Sequence, residues 1–192
     1  MKVIKLKEDG FEEAALGLSL SYRKLTDEEI QAVKQGNYGV TDRVKNVIMK
    51  NLALKGGGHN KFLESMQVWL LVQANRAFFQ QLDTYRVGIS KQSESTMHSL
   101  AKKKPTKENF EPDTDIVLVT RFLDKWHEIK KDVDTLRRSL PQGWLECRQI
   151  STNYKTLQNI YWQRRDHRSK DWHEFLDQLL SQLDHPEFIT QE

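Results

Sequence analysis

A run of small hydrogen-bonding side chains follows an arginine near the middle of the chain. Arg86 is followed by Ser90, Gln92 and Ser95 within residues 85–98. So many hydroxyl and amide groups are too polar for a protein core, because a buried polar group costs free energy unless it is hydrogen-bonded. The segment therefore predicts a site that binds a ligand through hydrogen bonds.

A second set of polar residues lies towards the C-terminal end, where a helix is expected at residues 153–165. Asn153 and Arg164 border the apolar stripe of this helix, point within about 20° of one another and lie about 16 Å apart along its axis. Lys155 and Asn159 share another face, because residues four positions apart are neighbours on a helix. With Arg137, which precedes Leu140-Pro141, these residues predict one pocket for an anionic ligand of nucleotide size.

The same helix also has a purely structural interpretation. Asparagine is a favoured N-cap residue, so Asn153 can begin the helix without binding a ligand. A partly buried arginine such as Arg164 can be satisfied by pairing with a buried carboxylate. The sequence leaves both interpretations open.

Bulk composition narrows the class of protein. The 192 residues fit one domain, and 30 Lys and Arg against 27 Asp and Glu give a formal net charge of +3, which provides no overall basic field for nucleic acid. The one cysteine, Cys147, cannot form an internal disulfide, and no apolar run approaches the roughly 20 residues that cross a bilayer. We therefore expect a soluble cytoplasmic protein with a single domain over residues 1–192.

Hydrophobic periodicity predicts the elements that must position the polar residues. The clearest helix signals are a capping box at residues 26–29 and an apolar stripe over residues 115–138. Three consecutive glycines at 56–58 should break regular structure, and the lysine-rich segment 101–114 is expected to be an exposed loop or flap. Strands are predicted at residues 3–6, 66–72 and 144–151, and helices at 11–23, 27–35, 42–54, 75–82, 115–138, 153–165 and 170–183.

The central residues also match a family pattern. Residues 58–64, Gly-His-Asn-Lys-Phe-Leu-Glu, resemble a Gly-His segment with a downstream glutamate in the flavin-dependent thymidylate synthase (ThyX) family. That family has a glutamine shortly before an Arg-His-Arg triplet, and here Gln81 precedes Thr-Tyr-Arg at 84–86. After one inserted residue, the family's first serine, asparagine and second serine are matched by Ser90, Gln92 and Ser95.

The C-terminal half resembles the same family more closely. The family places an arginine shortly before Leu-Pro, as Arg137 stands before Leu140-Pro141. Its Asn-x-Arg-Ser-Leu motif with a later asparagine and arginine is matched without a gap by Asn153, Lys155, Leu157, Asn159 and Arg164. The resemblance covers about residues 1–183 and is weakest before Gly56.

The resemblance implies an α+β fold in which an antiparallel sheet packs with long helices. It also implies a homotetramer with sites between subunits, and reductive methylation of dUMP or a related nucleotide with FAD, methylenetetrahydrofolate and NADPH. By position, the nucleotide-binding residues would be Gln81, Ser95, Arg137 and Arg164. The flavin-binding residues would be His59, Arg86, Ser90, Asn153, Lys155 and Asn159.

The central motif departs from the family pattern. Thr84 and Tyr85 replace an arginine and a histidine, while Ser93, Met97 and His98 replace a glutamate, an arginine and a tyrosine. Each lost charge-assisted hydrogen bond is worth about 1.5 to 3 kcal/mol, so the departures bear directly on catalysis. This variant motif resembles divergent family members carried by phages, which implies a subgroup whose substrate can differ.

Two other functions stay open. A catalytically inactive descendant of the family would bind a nucleotide or a protein partner. A nucleic-acid-binding protein would use the basic runs 102–104 and 164–168, with Trp162 or Trp172 stacking on bases. The histidines and acids of residues 167–174 lack the spacing of a metal site, so no metal is predicted.

Overall fold

A four-stranded sheet forms the centre of the computed structural model, which describes residues 1–190. The strands β1 (Lys2–Asp9), β2 (Gln67–Asn75), β3 (Ile89–Ser93) and β4 (Leu145–Asn153) are arranged in the order β1-β2-β4-β3. Each neighbouring pair is antiparallel. The predicted α+β class with an antiparallel sheet is therefore confirmed.

Helices occupy most of the connections between the strands. The α-helices are α1 (Phe11–Ser19), α2 (Asp27–Lys34), α3 (Met49–Ala53), α4 (Arg76–Leu82), α5 (Thr96–Ser99), α6 (Ile116–Ile129), α7 (Val133–Arg138), α8 (Tyr154–Arg164), α9 (Lys170–Leu180) and α10 (Glu187–Thr190). A π-helical turn at Val44–Ile48 precedes α3, and short 3-10 helices lie at Lys61–Glu64 and Lys107–Asn109. Within residues 1–190 no helix has the length and apolar character needed to span a membrane.

The apolar residues form two separate clusters. In β2, side chains alternate across the sheet, so Val68, Leu70 and Val72 are buried on one face. These residues join the larger cluster together with buried residues of α1, α4, α8, α9 and α10. The smaller cluster lies around α6 and α7 and includes Leu100 and Leu136. The described chain therefore contains two separate hydrophobic cores.

Local sequence signals determine several element boundaries. Thr26 Oγ1 accepts the N–H of Glu29 at 3.2 Å, and the Glu29 carboxylate accepts the N–H of Thr26 at 2.8 Å, so the predicted capping box begins α2. Gly10 ends β1 with a φ of +90°, and a Cβ there would lie 2.2 Å from the carbonyl oxygen of Ser65. A side chain at this turn would clash with the backbone of the neighbouring segment.

Some predicted elements were wrong or incomplete. The single helix predicted at 115–138 is two helices, because Asp132 accepts the N–H of Asp134 at 3.0 Å and caps α7 separately from α6. The stretch after residue 183, for which the sequence predicted no element, contains α10 with the buried residues Phe188 and Ile189. β3 and α5 were not predicted, because the polar residues of 85–98 have no apolar period.

Residues 101–114 lie against the smaller core. The segment contains the short 3-10 helix and one β-bridge, between Phe110 and Trp144. Pro105 and Phe110 are buried while all four of its lysines are exposed. Its backbone is thus held by apolar contacts, and its charges face solvent or surface cavities.

Candidate functional site

Helix α8 starts directly from the end of β4. Asn153 is the last residue of the strand, and its Oδ1 accepts the N–H of Thr156 at 2.9 Å, which makes it the N-cap of α8. Leu157 and Ile160 are buried in the larger core. Because residues four and three apart share a helix face, Lys155, Asn159 and Trp162 lie together on the side away from that core, as the spacing of Lys155 and Asn159 predicted.

That outer face of α8 forms one wall of a groove of about 650 Å³. The opposite wall is the segment that follows α4 and carries Arg86. We call this feature the α8 groove and define it by its lining residues, which are Glu64, Thr84, Tyr85, Arg86, Val87, Lys155, Thr156, Gln158, Asn159, Trp162 and Gln163. Three of the residues predicted to bind a cofactor, Arg86, Lys155 and Asn159, are therefore brought together.

The segment carrying Arg86 is fixed against the start of α8. Thr156 Oγ1 donates to the carbonyl of Val87 at 3.2 Å, and Thr152 Oγ1 donates to the carbonyl of Gly88 at 2.9 Å. Gly88 has a φ of +68°, and a Cβ there would lie 2.2 Å from Thr156 Oγ1. The glycine allows this close approach, which sets the distance between Arg86 and α8.

The positive charges of the α8 groove have no ion-pair partners in the part of the chain that the structure describes. Within residues 1–190 neither Arg86 nor Lys155 makes an ion pair, and one carboxylate, that of Glu64, lines the groove. Trp162 adds an aromatic side chain that is 41% exposed. Two free cations beside an accessible indole suit an anionic ligand that contains an aromatic ring.

Arg164 lies at the end of α8 in a cluster of aromatic side chains. Its Nε donates to the Tyr85 hydroxyl at 2.8 Å, and its guanidinium carbon lies 4.8 Å from the centre of the Trp172 ring. Trp172 Nε1 in turn donates to Gln81 Oε1 at 2.8 Å. Gln81 and Arg164, two predicted nucleotide-binding residues, thus contact the same indole.

The structural explanation of Arg164 as the partner of a buried carboxylate was wrong. Among residues 1–190 no carboxylate forms an ion pair with Arg164, and no hydrogen bond uses its terminal nitrogens. The fork of the guanidinium is therefore held in place by its Nε and its flat face, while its outer N–H groups stay available. Such a fork binds a planar or tetrahedral oxygen acceptor through paired hydrogen bonds.

A chain of hydrogen bonds links Arg164 to the α8 groove. The Tyr85 hydroxyl, which accepts from Arg164, donates to Gln163 Oε1 at 3.0 Å. Gln163 Nε2 donates to Asn159 Oδ1 at 2.9 Å. Tyr85 is buried and also lines the groove. A residue that counted as a departure from the family pattern therefore connects the predicted nucleotide and cofactor residues.

Two predicted nucleotide-binding residues lie elsewhere. Ser95 is the exposed residue before α5, and Arg137 is in α7, where its guanidinium is 3.7 Å from the Asp134 carboxylate and its side chain is 47% exposed. α5 packs against α7, so Ser95 and Arg137 belong to the same part of the fold, beside the smaller core. Neither residue lines the α8 groove.

The remaining predicted cofactor residues are also dispersed. His59 is exposed and lines a separate cavity of about 400 Å³ between α1 and the glycine-rich turn. Ser90 is exposed on β3, opposite Ser151 of β4. Asn153 has its side-chain oxygen engaged as the cap of α8. In one copy of the chain, these three residues do not join the groove.

Sequence reasoning did not place Tyr85 or Trp162 in the groove, and it misjudged Trp172, which lies outside the groove. Trp162 follows Asn159 by three positions, and that spacing was a signal that could have placed it on the groove face. The contact of Tyr85 with Arg164 crosses 79 positions of sequence and left no local signal. Trp172, considered as a base-stacking residue, is fully buried and cannot stack on a nucleic acid.

Comparison with solved structures identifies the fold. The chain is similar to the flavin-dependent thymidylate synthase ThyX from Helicobacter pylori complexed with FAD and dUMP, with a TM-score of 0.78, 16% identity, and 99% of this chain and 98% of that chain covered. A second structure of the Helicobacter pylori enzyme with FAD and dUMP gives a TM-score of 0.76 at 15% identity and the same coverage. No protein-family model and no curated protein sequence matches the chain. The fold is therefore that of ThyX.

Proposed function

We propose that the chain binds a flavin and a pyrimidine nucleotide, and that it acts in ThyX-like methylation of dUMP or a related nucleotide. The observation that carries the proposal is the α8 groove, where the unpaired cations of Arg86 and Lys155 lie beside Asn159 and Trp162. The ThyX fold over nearly the whole chain supports it. Phage origin, cytoplasmic location and use of methylenetetrahydrofolate and NADPH belong to the same proposal and rest on the resemblance of motifs.

The lining of the α8 groove fits the chemistry of FAD. A volume of about 650 Å³ lies within the range of ligand-binding clefts. Arg86 and Lys155 would bind the pyrophosphate, since neither cation has an ion-pair partner among residues 1–190, and Trp162 would stack on a ring. When bound, the flavin supplies the hydride for reduction, so the protein needs to bind and orient the reactants.

The nucleotide would be bound by residues from two regions. Arg164 offers its outer N–H groups, and Gln81 retains its amide N–H₂ because its oxygen is engaged by Trp172. Ser95 and Arg137 lie on the separate α5–α7 region. A second copy of the chain could place its Ser95 and Arg137 against Arg164, and this is the physical reason to propose a homo-oligomer, with the tetramer of the family as its form.

The proposal is tested by titrating the purified chain with FAD and following the change in the flavin absorbance spectrum. We expect saturable binding that Lys155→Ala weakens by about tenfold, because a charge-assisted hydrogen bond is worth about 1.5 kcal/mol or more. The matched control is Lys170→Ala, an exposed lysine that does not line the α8 groove. A spectrum that is unchanged by the protein, with or without dUMP, would refute the proposal.

A further inference from the structure

A second cavity lies between the lysine-rich segment and the smaller apolar core, and its volume is about 330 Å³. We call it the lysine cavity. Its lining includes side chains that carry a charge or a hydrogen-bonding group, among them Glu94, Ser99, Lys103, Lys104, Asn109 and Trp144. None of them lines the α8 groove. Whatever binds in the lysine cavity must therefore be recognised by a different set of groups.

The lysines of this cavity are held in place by the backbone around them. Leu100 is 2% exposed, and its carbonyl accepts the indole N–H of Trp126 at 3.0 Å. Pro105 is buried on the other side. Lys103 and Lys104 lie between these two anchors and line the same cavity. The backbone that carries both lysines is therefore anchored on either side, unlike the backbone of a free loop.

Neither ammonium group is neutralised by the chain. Across residues 1–190, Lys103 and Lys104 take part in no hydrogen bond and no ion pair. Two unpaired positive charges in one small cavity repel each other, and an anion between them would relieve that repulsion. The Asn109 side-chain oxygen accepts the N–H of Thr106, so its amide N–H₂ can donate to the oxygens of such an anion, whereas the Ser99 hydroxyl already donates to the carbonyl of Ser95 at 2.9 Å.

The cavity also has a buried donor that lacks an acceptor. Trp144 is 7% exposed, and its Nε1 makes no hydrogen bond within the described chain. Buried polar groups are almost always hydrogen-bonded, so an orphaned indole N–H beside a cavity calls for a ligand atom. An anion oxygen is the acceptor that would satisfy both this donor and the lysines.

One group in the cavity opposes an anion. The Glu94 carboxylate accepts the backbone N–H of Cys147 at 3.4 Å. Burial raises the pKa of Glu94, and the nearby charge of Glu146 raises it further. A carboxylate that is already unfavourable here would repel a bound anion, so its removal should strengthen anion binding. Replacement of Glu94 and replacement of a lysine should therefore change the affinity for an anion in opposite directions.

We propose that the lysine cavity binds a phosphate group, with Lys103 and Lys104 as the cations and the Trp144 indole N–H as a further donor. Phosphate suits the site because its oxygens can accept from several donors at once. The phosphate can be free in solution or belong to a phosphomonoester such as dUMP. The inference goes beyond the proposed function, because it does not require flavin binding in the α8 groove.

The experiment titrates ¹⁵N-labelled full-length protein with inorganic phosphate, dUMP and deoxyuridine. The readout is the indole N–H resonance of Trp144, assigned with Trp144→Phe. Phosphate and dUMP are expected to shift this resonance, and deoxyuridine, which has no phosphate, is not. Binding of dUMP more than about tenfold tighter than phosphate would identify the nucleotide as the source, and equal affinities would identify free phosphate.

Three variants make the test specific. Lys103→Ala and Lys104→Ala should each weaken phosphate binding by about tenfold, because each removes one favourable charge contact. Glu94→Gln should strengthen phosphate binding by about severalfold, because it removes one repulsive charge contact. The control is Lys102→Ala, a neighbouring exposed lysine outside the cavity, which should change the affinity less than about twofold. An equal loss in the control, or no shift of the Trp144 resonance with phosphate or dUMP, would overturn the proposal.

The same variants separate this inference from the proposed function. Because Lys103 and Lys104 lie outside the α8 groove, their replacement should leave FAD affinity unchanged. An about tenfold weaker FAD affinity in Lys155→Ala, together with unchanged phosphate binding, would show that the two sites are independent. Both lysines are exposed, so the variants should fold, and equal thermal unfolding temperatures would verify this.

Discussion

Two regions contain the predicted nucleotide-binding arginines: the α8 region contains Arg164, and the α5–α7 region contains Arg137. The two side chains differ in what holds them. In the α8 region, Arg164 is held by Tyr85 and Trp172 on the larger core. In the α5–α7 region, Arg137 is half-exposed, and within the described part of the chain it forms an ion pair with Asp134 of its own helix. The first arginine is preorganised within one chain, whereas the second is oriented towards solvent.

This difference indicates what each region needs in order to bind a ligand. A preorganised guanidinium loses little conformational freedom when it binds, so the hydrogen bonds of Arg164 should contribute most of their free energy to ligand binding. An exposed arginine loses more freedom and is screened by water, so Arg137 should contribute strongly only where a second surface covers it. The comparison predicts large effects from the α8 region and effects that depend on assembly from the α5–α7 region.

Replacement of Arg164 should have the largest effect. If Arg164 binds the nucleotide as proposed, Arg164→Ala would remove two outer hydrogen bonds to it, which is worth about a hundredfold or more in affinity for dUMP. The measurement is calorimetric titration with dUMP, and Arg168→Ala, an exposed arginine beyond the end of α8, is the control. Unaltered dUMP affinity in Arg164→Ala would contradict the role of the α8 region.

Loss of the Tyr85 hydroxyl should have an intermediate effect. Tyr85→Phe keeps the ring but removes the acceptor that holds Arg164, so dUMP affinity should fall by about tenfold, the value of one hydrogen bond to a charged group. The control is Tyr161→Phe, because the Tyr161 hydroxyl makes no hydrogen bond within residues 1–190.

Tyr85 would be a positioning residue, so its effect must depend on Arg164. In the background of Arg164→Ala, adding Tyr85→Phe should change the dUMP affinity by less than about twofold, because coupled residues are not additive. Full additivity of the two substitutions would show that Tyr85 acts independently of the arginine.

The smallest expected effect is on stability and concerns Glu94, which lies between β3 and α5. Partial burial of the carboxylate raises the folded-state pKa of Glu94 above its ordinary value of 4.5, although the residue as a whole is exposed. The folded state therefore binds this proton more tightly than the unfolded state. The contribution of this proton to the free energy of unfolding is fully present below the ordinary pKa of 4.5. It is lost as the pH rises through the folded-state pKa of Glu94.

The change that tests this titration is Glu94→Gln. Relative to the natural chain, the variant should raise the thermal unfolding temperature at neutral pH and have less effect at acidic pH. Glu28→Gln, at an exposed position of α2, should show no such pH dependence. An identical shift at both pH values for Glu94→Gln would contradict burial as the cause.

Parts of the fold that depend on local chemistry could be predicted from sequence. The capping box at Thr26 and the strand at residues 66–72 were predicted from local patterns, and α2 and β2 lie at those places. The spacing of Lys155 and Asn159 placed them on one face of α8, and this face lines the groove. In each case the signal lies within a few residues of the feature that it predicts.

Other parts depend on contacts that the sequence does not display. β3 is an edge strand whose residues Ser90, Gln92 and Ser93 are all exposed, so it lacks the apolar alternation that marks a half-buried strand. Its position depends on pairing with β4, more than 50 residues later. The link from Tyr85 to Arg164 is also long-range and could not be read from local spacing.

The most direct test of the central claim, that the α8 and α5–α7 regions of different copies form one nucleotide site, is a mixing experiment. Arg164→Ala and Arg137→Ala proteins are each titrated with dUMP, then unfolded together, refolded and titrated as a mixture. Each variant alone should bind weakly, and the mixture should regain sites of natural affinity, because one intact arginine from each chain can meet at a shared interface. A mixture that binds no better than the separate variants would contradict the claim.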